Sequence, residues 1–242
     1  MTQSRVPEEI AQEMIQPGVQ IDPLNSPHPI PWNWVLATHA ELCATNSSGV
    51  RYYRSPSLVS PDGQYAAYSR LQMEGQPELY HSRVMSVIFV ENLQTGDLRT
   101  ITATTPVPDN PMLGCQDTDI PGRISILIPI SWSKSSDRLL ARQFEGIFNS
   151  TEASDLAVIW DRQKNRTTTL APQGVQYDIA VLLGWSQTNP DCVLFRAGEL
   201  GNERWPVWSV HLNGQTTLAL EDELIVYGQV INQVWAGPQA RW

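Results

Sequence analysis

An order of parts that recurs three times between residues 51 and 220 limits the folds open to this chain more than any other feature. Each recurrence runs strand, hydroxyl-and-acid turn, strand, variable loop, strand, polar turn, short Thr-rich strand. In the first unit a strand over 51–59 enters Ser60-Pro61-Asp62-Gly63, and Tyr65-Ala66-Ala67-Tyr68-Ser69 follows at once. Pro61 presets the turn dihedral, Asp62 bonds its own backbone two residues on, and Gly63 accepts a left-handed conformation. Strands over 85–92 and 98–102 then flank the turn Gln94-Thr95-Gly96-Asp97. The second unit reads as strands over 128–133, 139–144, 155–160 and 167–170, and the third as strands over 180–186, 192–197, 206–211 and 216–220. Trp132-Ser133 and Trp185-Ser186 hold equivalent places, and the loop 103–123 makes the first spacing the longer one.

These residues resemble the blades of the TolB-like or PD40-type β-propeller repeat family (WD40-like), which carry a Trp/Phe-Ser-Pro-Asp-Gly turn before a strand rich in Ala, Tyr and small apolar residues. Val59-Ser60-Pro61-Asp62-Gly63-Gln64-Tyr65-Ala66-Ala67-Tyr68 matches well; the Trp132 and Trp185 segments keep Trp-Ser and an Asp but lose the Pro-Asp-Gly core. The resemblance implies an all-β fold: antiparallel four-stranded meander units arranged as a small or partial β-propeller, with a short helical N-terminal arm. Three complete units fall short of the four blades of typical closed propellers. The tail 223–235 either pairs with the strand before Ser60 or supplies part of a fourth blade, and a β-sandwich of the same strands is the alternative architecture.

Outside the repeats the texture changes, giving an N-terminal arm over 1–49, a propeller-like β domain over 50–236 and a C-terminal tail over 237–242. Pro7, Glu8 and Glu9 followed by Ile10, Ala11, Met14 and Ile15 read as a short amphipathic helix. It is too short to stand alone, so its Ile10/Met14/Ile15 face must dock on something. Five prolines between Pro17 and Pro31 predict a semi-rigid spacer rather than a packed element, and 32–42 reads as a helix with Trp32, Val35, Leu36 and His39 on one face.

Charge and composition exclude several function classes. A net charge of -9 without any Lys/Arg cluster opposes nucleic acid and anionic lipid as partners, and no apolar run is long enough to insert in a bilayer. Glu8, Glu9 and Glu13 stand where a secretory signal needs a basic start, and Cys43, Cys115 and Cys192 are odd in number and widely spaced, so the expected location is cytoplasmic. The Asn46, Asn149 and Asn165 glycosylation patterns then read as chance matches in polar turns.

No Gly-x-Ser-x-Gly elbow, phosphate-cradling glycine loop or ligand spacing among His28, His39, His81 and His211 is present, and the Asp117/Asp119 pair beside Cys115 lacks the third donor and glycine of a cation loop. Asp62, Asp137 and Asp191 recur at one turn and read as turn chemistry. No enzyme activity, cofactor or metal is expected. The expected function is a non-catalytic protein–protein interaction or scaffold subunit docking on a larger complex. The alternative is a ligand-binding or hydrolase-associated module using the loops 72–84, 103–123 and 145–154. Nine Trp supply interface candidates, and the partner-binding residues expected are Ile10, Met14, Ile15, Trp32, Trp34, Trp205, Arg241 and Trp242. Trp208 falls inside an alternating strand and reads as core. The oligomeric state is left open.

Overall fold

The computed structural model describes residues 21–102 and 120–232. Each repeat unit folds as an antiparallel meander. The first comprises β1 (Gly49–Arg54), β2 (Ser57–Val59), β3 (Tyr65–Gly75), β4 (Arg83–Asn92) and β5 (Leu98–Ile101). The second holds β6 (Arg123–Trp132), β7 (Arg138–Ile147), β8 (Ala153–Asp161) and β9 (Arg166–Leu170), and the third β10 (Ile179–Ser186), β11 (Cys192–Gly198), β12 (Val207–His211) and β13 (Thr216–Leu218). The single strand expected over 51–59 is two. Pro56 cannot donate to a ladder, so the chain breaks there. Tyr53 pairs with Leu71 on one side of the break and Leu58 with Ala67 on the other. Ser55 bridges the gap, its amide donating to Ser69 O at 3.0 Å and its Oγ accepting the Ser69 amide at 2.8 Å.

The hydroxyl-and-acid turns behave alike in the first two units. Ser60 Oγ donates to Asp62 at 2.6 Å and accepts the Tyr65 amide at 3.0 Å; Ser133 Oγ donates to Asp137 at 2.6 Å and accepts the Arg138 amide at 3.0 Å. Gly63 (φ 68°) has its counterpart in Ser136 (φ 60°), so the second turn keeps the left-handed position without the glycine. In the third unit Ser186 donates instead to Asp222 at 2.5 Å, and Asp191 pairs with Arg138 at 2.7 Å. Asp191 is therefore a link between units, a correction to its reading as turn chemistry.

Units one and two share a ten-stranded sheet through a short parallel contact of β4 with β6, and unit three forms the core of a five-stranded sheet. Side chains stitch the seams where the ladders stop. Ser69 and Ser86 donate to the Leu127 carbonyl on β6, and Ser86 accepts the Leu127 amide at 2.6 Å. On the far side Ser154 and Asp155 of β8 accept the Ala180 and Leu182 amides of β10 at 3.1 and 2.9 Å. Strands β6 to β8 of the middle unit are thereby buried on both faces. Ile126, Leu140, Phe144 and Ile159 share a core cluster with Leu182 and Phe195 of unit three and with Leu71 and Met73 of unit one, while Leu139, Ala141, Val158 and Trp160 cluster with Leu58, Ala67, Ile88 and Val90 of unit one.

The segment after β13 runs across the first strands of all three units. β14 (Leu224–Ile225) pairs with β10, Tyr227 bridges Trp132, and β15 (Gln229–Ile231) pairs with β2, so the expectation of pairing before Ser60 holds for this tail. Gly228 (φ 110°) lets it lie close, because a Cβ there would meet the Val59 carbonyl at 2.8 Å.

Residues 21–31 do not run as a free spacer. Pro23, Pro27, Pro29 and Pro31 have no amide hydrogen to satisfy, and the Asp22 carboxylate gathers three of the amides that remain, from Leu24, Ser26 and Ile30. Arg142 on β7 supplies the countercharge at 2.6 Å and also donates to the His28 carbonyl at 2.7 Å. The helix α1 (Trp32–Ala44) follows, seating Val35, Thr38 and Leu42 on the sheet; Leu36 and His39 are only half-buried.

Candidate docking surface

The residues with most chemical potential are committed to the fold. Arg142 and Asp155 are wholly buried, joined at 2.8 Å, with Asp22 as the second anion on Arg142. Burial pushes the Asp155 carboxyl up to about 6 against the pull of Arg142 and the Leu182 amide. Burial also works to raise Asp22, but Arg142 and the amides outweigh it and hold that carboxyl below its ordinary value. Burial holds the His28 imidazole below its usual pKa, and its Nε2 donates to the Leu183 carbonyl at 2.8 Å. Every charge in this cluster has a partner, as enclosed charges require. Glu145, raised by burial, is similarly held by Ser125, Gln143 and Arg123.

The turn carboxylates form the outer stitching. Burial raises Asp62, and bonds from Ser60 and the Gln64 amide, with Arg162 at 3.2 Å, overcome it to give a lowered pKa. Arg138 reaches Asp191 and lies over the Trp185 ring at 5.5 Å, and Arg162 lies over Tyr65 at 4.8 Å. Among the described residues no three His, Cys, Asp or Glu side chains gather as metal ligands, and no helix is long and apolar enough to cross a membrane. Cys43 is exposed, Cys192 is buried, and neither forms a disulfide. Asn46, Asn149 and Asn165 all take left-handed turn positions.

Of the partner-binding residues expected from sequence, Trp32, Trp34 and Trp205 lie among the described residues, and each packs on the protein itself. Trp32 stacks on Phe148 at 5.8 Å and tilts against Phe144, and Trp34 meets Tyr53 at 5.4 Å, so both rings serve the core. Trp205 covers Gly198 and donates to the Glu199 carbonyl at 3.1 Å. Trp208 joins the core cluster as expected. Ile10, Met14, Ile15, Arg241 and Trp242, like Cys115, Asp117 and Asp119, lie outside the described residues.

What the structure does present is the outward face of unit one. In β3 and β4 the side chains that point to unit two are Ala67, Ser69, Leu71, Met73 and, opposite them, Val84, Ser86, Ile88 and Val90. Strand alternation puts their neighbours on the other side. That side carries Tyr68, Arg70 and Gln72 of β3, Met85, Val87 and Phe89 of β4, and Tyr52 and Arg54 of β1. Tyr52 is 73% exposed and Met85 47%. The rings of Tyr68 and Phe89 stack at 5.6 Å, Arg54 lies 3.8 Å over Tyr68, and Arg70 lies 5.9 Å from the Phe89 ring. Tyr52, Arg54, Arg70, Gln72, Met85, Val87 and Phe89 line an open cleft of about 590 Å³. No tryptophan marks this cleft; its signal in the sequence is the alternation Tyr68, Arg70, Gln72 against Ala67, Ser69, Leu71.

No family model matches the sequence, and no curated protein does either. A solved structure titled "Glycoside hydrolase" overlaps 76% of this chain at 9% identity with a TM-score of 0.37, and the chain spans 64% of that structure's length. A likeness of that size carries no argument about this chain.

Proposed function

We propose that this chain is a non-catalytic interaction or scaffold subunit of the cytoplasm, with its three meanders forming a partial propeller of the TolB-like type that docks on a larger protein. The observation that carries the reading is the unequal covering of equivalent sheets. Strands β6 to β8 of the middle unit are buried on both faces, whereas the first unit leaves Tyr52 and Met85 exposed and the Tyr68/Phe89 stack half-buried. Exposed apolar faces rimmed by polar groups mark interaction sites, and Tyr and Arg are enriched in the energetic centres of interfaces. The burial and full pairing of Arg142, Asp155 and Asp22 support the non-catalytic half, since those charges are engaged by the fold itself.

The test is a photoreactive residue placed at position 52, compared with one at position 164, in the protein expressed in its native cell. A discrete adduct with one other protein from position 52 alone is expected. No adduct from position 52 refutes docking through this face, and an adduct joining two copies of the chain replaces docking with self-assembly. Hydrolysis of chromogenic esters or glycosides by the purified chain would overturn the non-catalytic half.

A further inference from the structure

The outward cleft of unit one also has a charge that says what it accepts. The protein as a whole carries a net charge of -9, yet the cleft is lined by Arg54 and Arg70 and by no Asp or Glu. Five other arginines are matched: Arg51 with Glu41, Arg123 with Glu145, Arg138 with Asp191, Arg142 with Asp22 and Asp155, Arg162 with Asp62. Neither Arg54 nor Arg70 meets a carboxylate among the described residues. Arg54 makes one long hydrogen bond, to Ser57 Oγ at 3.3 Å, so most of its five donors remain available. Of the acids on the same face, Glu74 is engaged by Gln72 Nε2 at 3.0 Å, and Glu91, two residues beyond Phe89, does not line the cleft. The Arg54 guanidinium lies 3.8 Å over the Tyr68 ring and that of Arg70 5.9 Å from the Phe89 ring, which keeps both cations beside an apolar floor where a carboxylate can reach them.

Resting on the docking reading above, we propose that the partner's contacting element is an acidic protein segment carrying an apolar anchor. Its Phe, Leu or Ile side chain enters the cleft between Tyr52, Met85 and Phe89, and its flanking Glu or Asp carboxylates pair with Arg54 and Arg70. The two attractions fit only together. An apolar segment without acids leaves the guanidiniums unpaired, and an acidic segment without an anchor gains only screened surface pairs.

The probe is a fluorescent peptide of sequence Gly-Glu-Glu-Leu-Phe-Glu-Glu-Gly, titrated with the full chain by anisotropy at low and at physiological salt. Saturable binding is expected, weaker at the higher salt. It falls about tenfold in the Arg54→Gln/Arg70→Gln variant and by a similar factor for the peptide with Gln in place of every Glu. Met85→Gln, which makes the anchor's wall polar without adding a charge beside either Arg, is expected to weaken it about fivefold. Near-ultraviolet dichroism checks that the variants keep the native aromatic packing. Equal binding of the Gln peptide, no loss in the double variant, or capture by phosphatidylserine vesicles in place of the peptide overturns the proposal. The docking reading is separable from it. If the adduct from position 52 persists in the Arg54→Gln/Arg70→Gln protein, docking stands and the acidic-segment proposal falls; if no adduct forms with the native chain, docking itself falls.

Discussion

Strands β3 and β7 occupy equivalent places in their units, each following a Ser-turn, yet they are buried to different extents. β7 is enclosed from Leu139 to Gly146 on both faces, whereas β3 alternates buried Ala67, Ser69, Leu71 and Met73 with the half-buried or exposed Tyr68, Arg70 and Gln72. Their chemistry differs accordingly. Arg142 on β7 is caged by two aspartates and a carbonyl, while Arg70 on β3 lies open above a ring. The same residue type becomes a structural staple where both faces are covered and has no carboxylate partner among the described residues where one is not. Position within the stack of sheets, more than the local repeat, decides the role.

The comparison can be broken most sharply at the caged arginine. Arg142→Met strands Asp22 and Asp155 without a countercharge, and urea unfolding should show a loss of about 3–5 kcal/mol, against no measurable change for Arg70→Met. A matched aromatic pair comes next. Phe144→Ala, in the covered unit, should cost about 3–5 kcal/mol, and Phe89→Ala, on the open face, distinctly less in the same assay; equal losses would show that the open face is as enclosed as the covered one.

The pH dependence sharpens the contrast at an intermediate size. Asp155 has a folded pKa of about 6 against an ordinary value of 3.8. Between those values the folded state binds the proton that the unfolded state releases. Its contribution to stability is therefore full below the ordinary value, declines as pH rises through the window, and is gone above the folded pKa. Asp22 and Asp62, both lowered, act in the opposite sense: their contribution is present above the ordinary carboxylate value and lost as pH falls through their depressed pKa. Urea midpoints across this range should slope less steeply downward with rising pH in Asp155→Asn than in the native chain. Smallest of all, Tyr52→Ser should leave stability within about 0.5 kcal/mol while removing part of the cleft wall, as read by chemical unfolding beside the peptide titration.

The strands were legible because turn chemistry is local. Ser60 to Gly63 determines its own bend, and the Trp132-Ser133 and Trp185-Ser186 repeats announce the same bend even after the glycine is lost. The tail's pairing with the strand before Ser60 was also within reach, since Val230 and Ile231 are β-branched residues following a glycine. The packing of 21–31 was not, because what turns a proline-rich stretch into a docked one is Arg142, far along the chain and inside an unremarkable-looking strand. The substitution of Asp222 for Asp191 at the third turn escaped for the same reason: it depends on where the tail passes. The cleft lay between these cases. Alternation told which residues share a face of β3, but only the arrangement of the sheets tells which face meets solvent.

The passage of residues 224–231 across all three leading strands has a consequence for how the chain matures. β2 presents one unpaired backbone edge until Val230 arrives opposite Leu58, and Trp132 Nε1, which donates to the Leu58 carbonyl at 3.0 Å, sits beside that same join. During synthesis the earliest meander therefore waits, half-edged, for a partner made well over a hundred residues later. Assembly that depends on such distant pairings is slow, and exposed strand edges invite association meanwhile. A nascent chain halted short of residue 229 would keep that edge permanently, so it is the making of residues 229–231 that seals the sheet residues 57–59 begin.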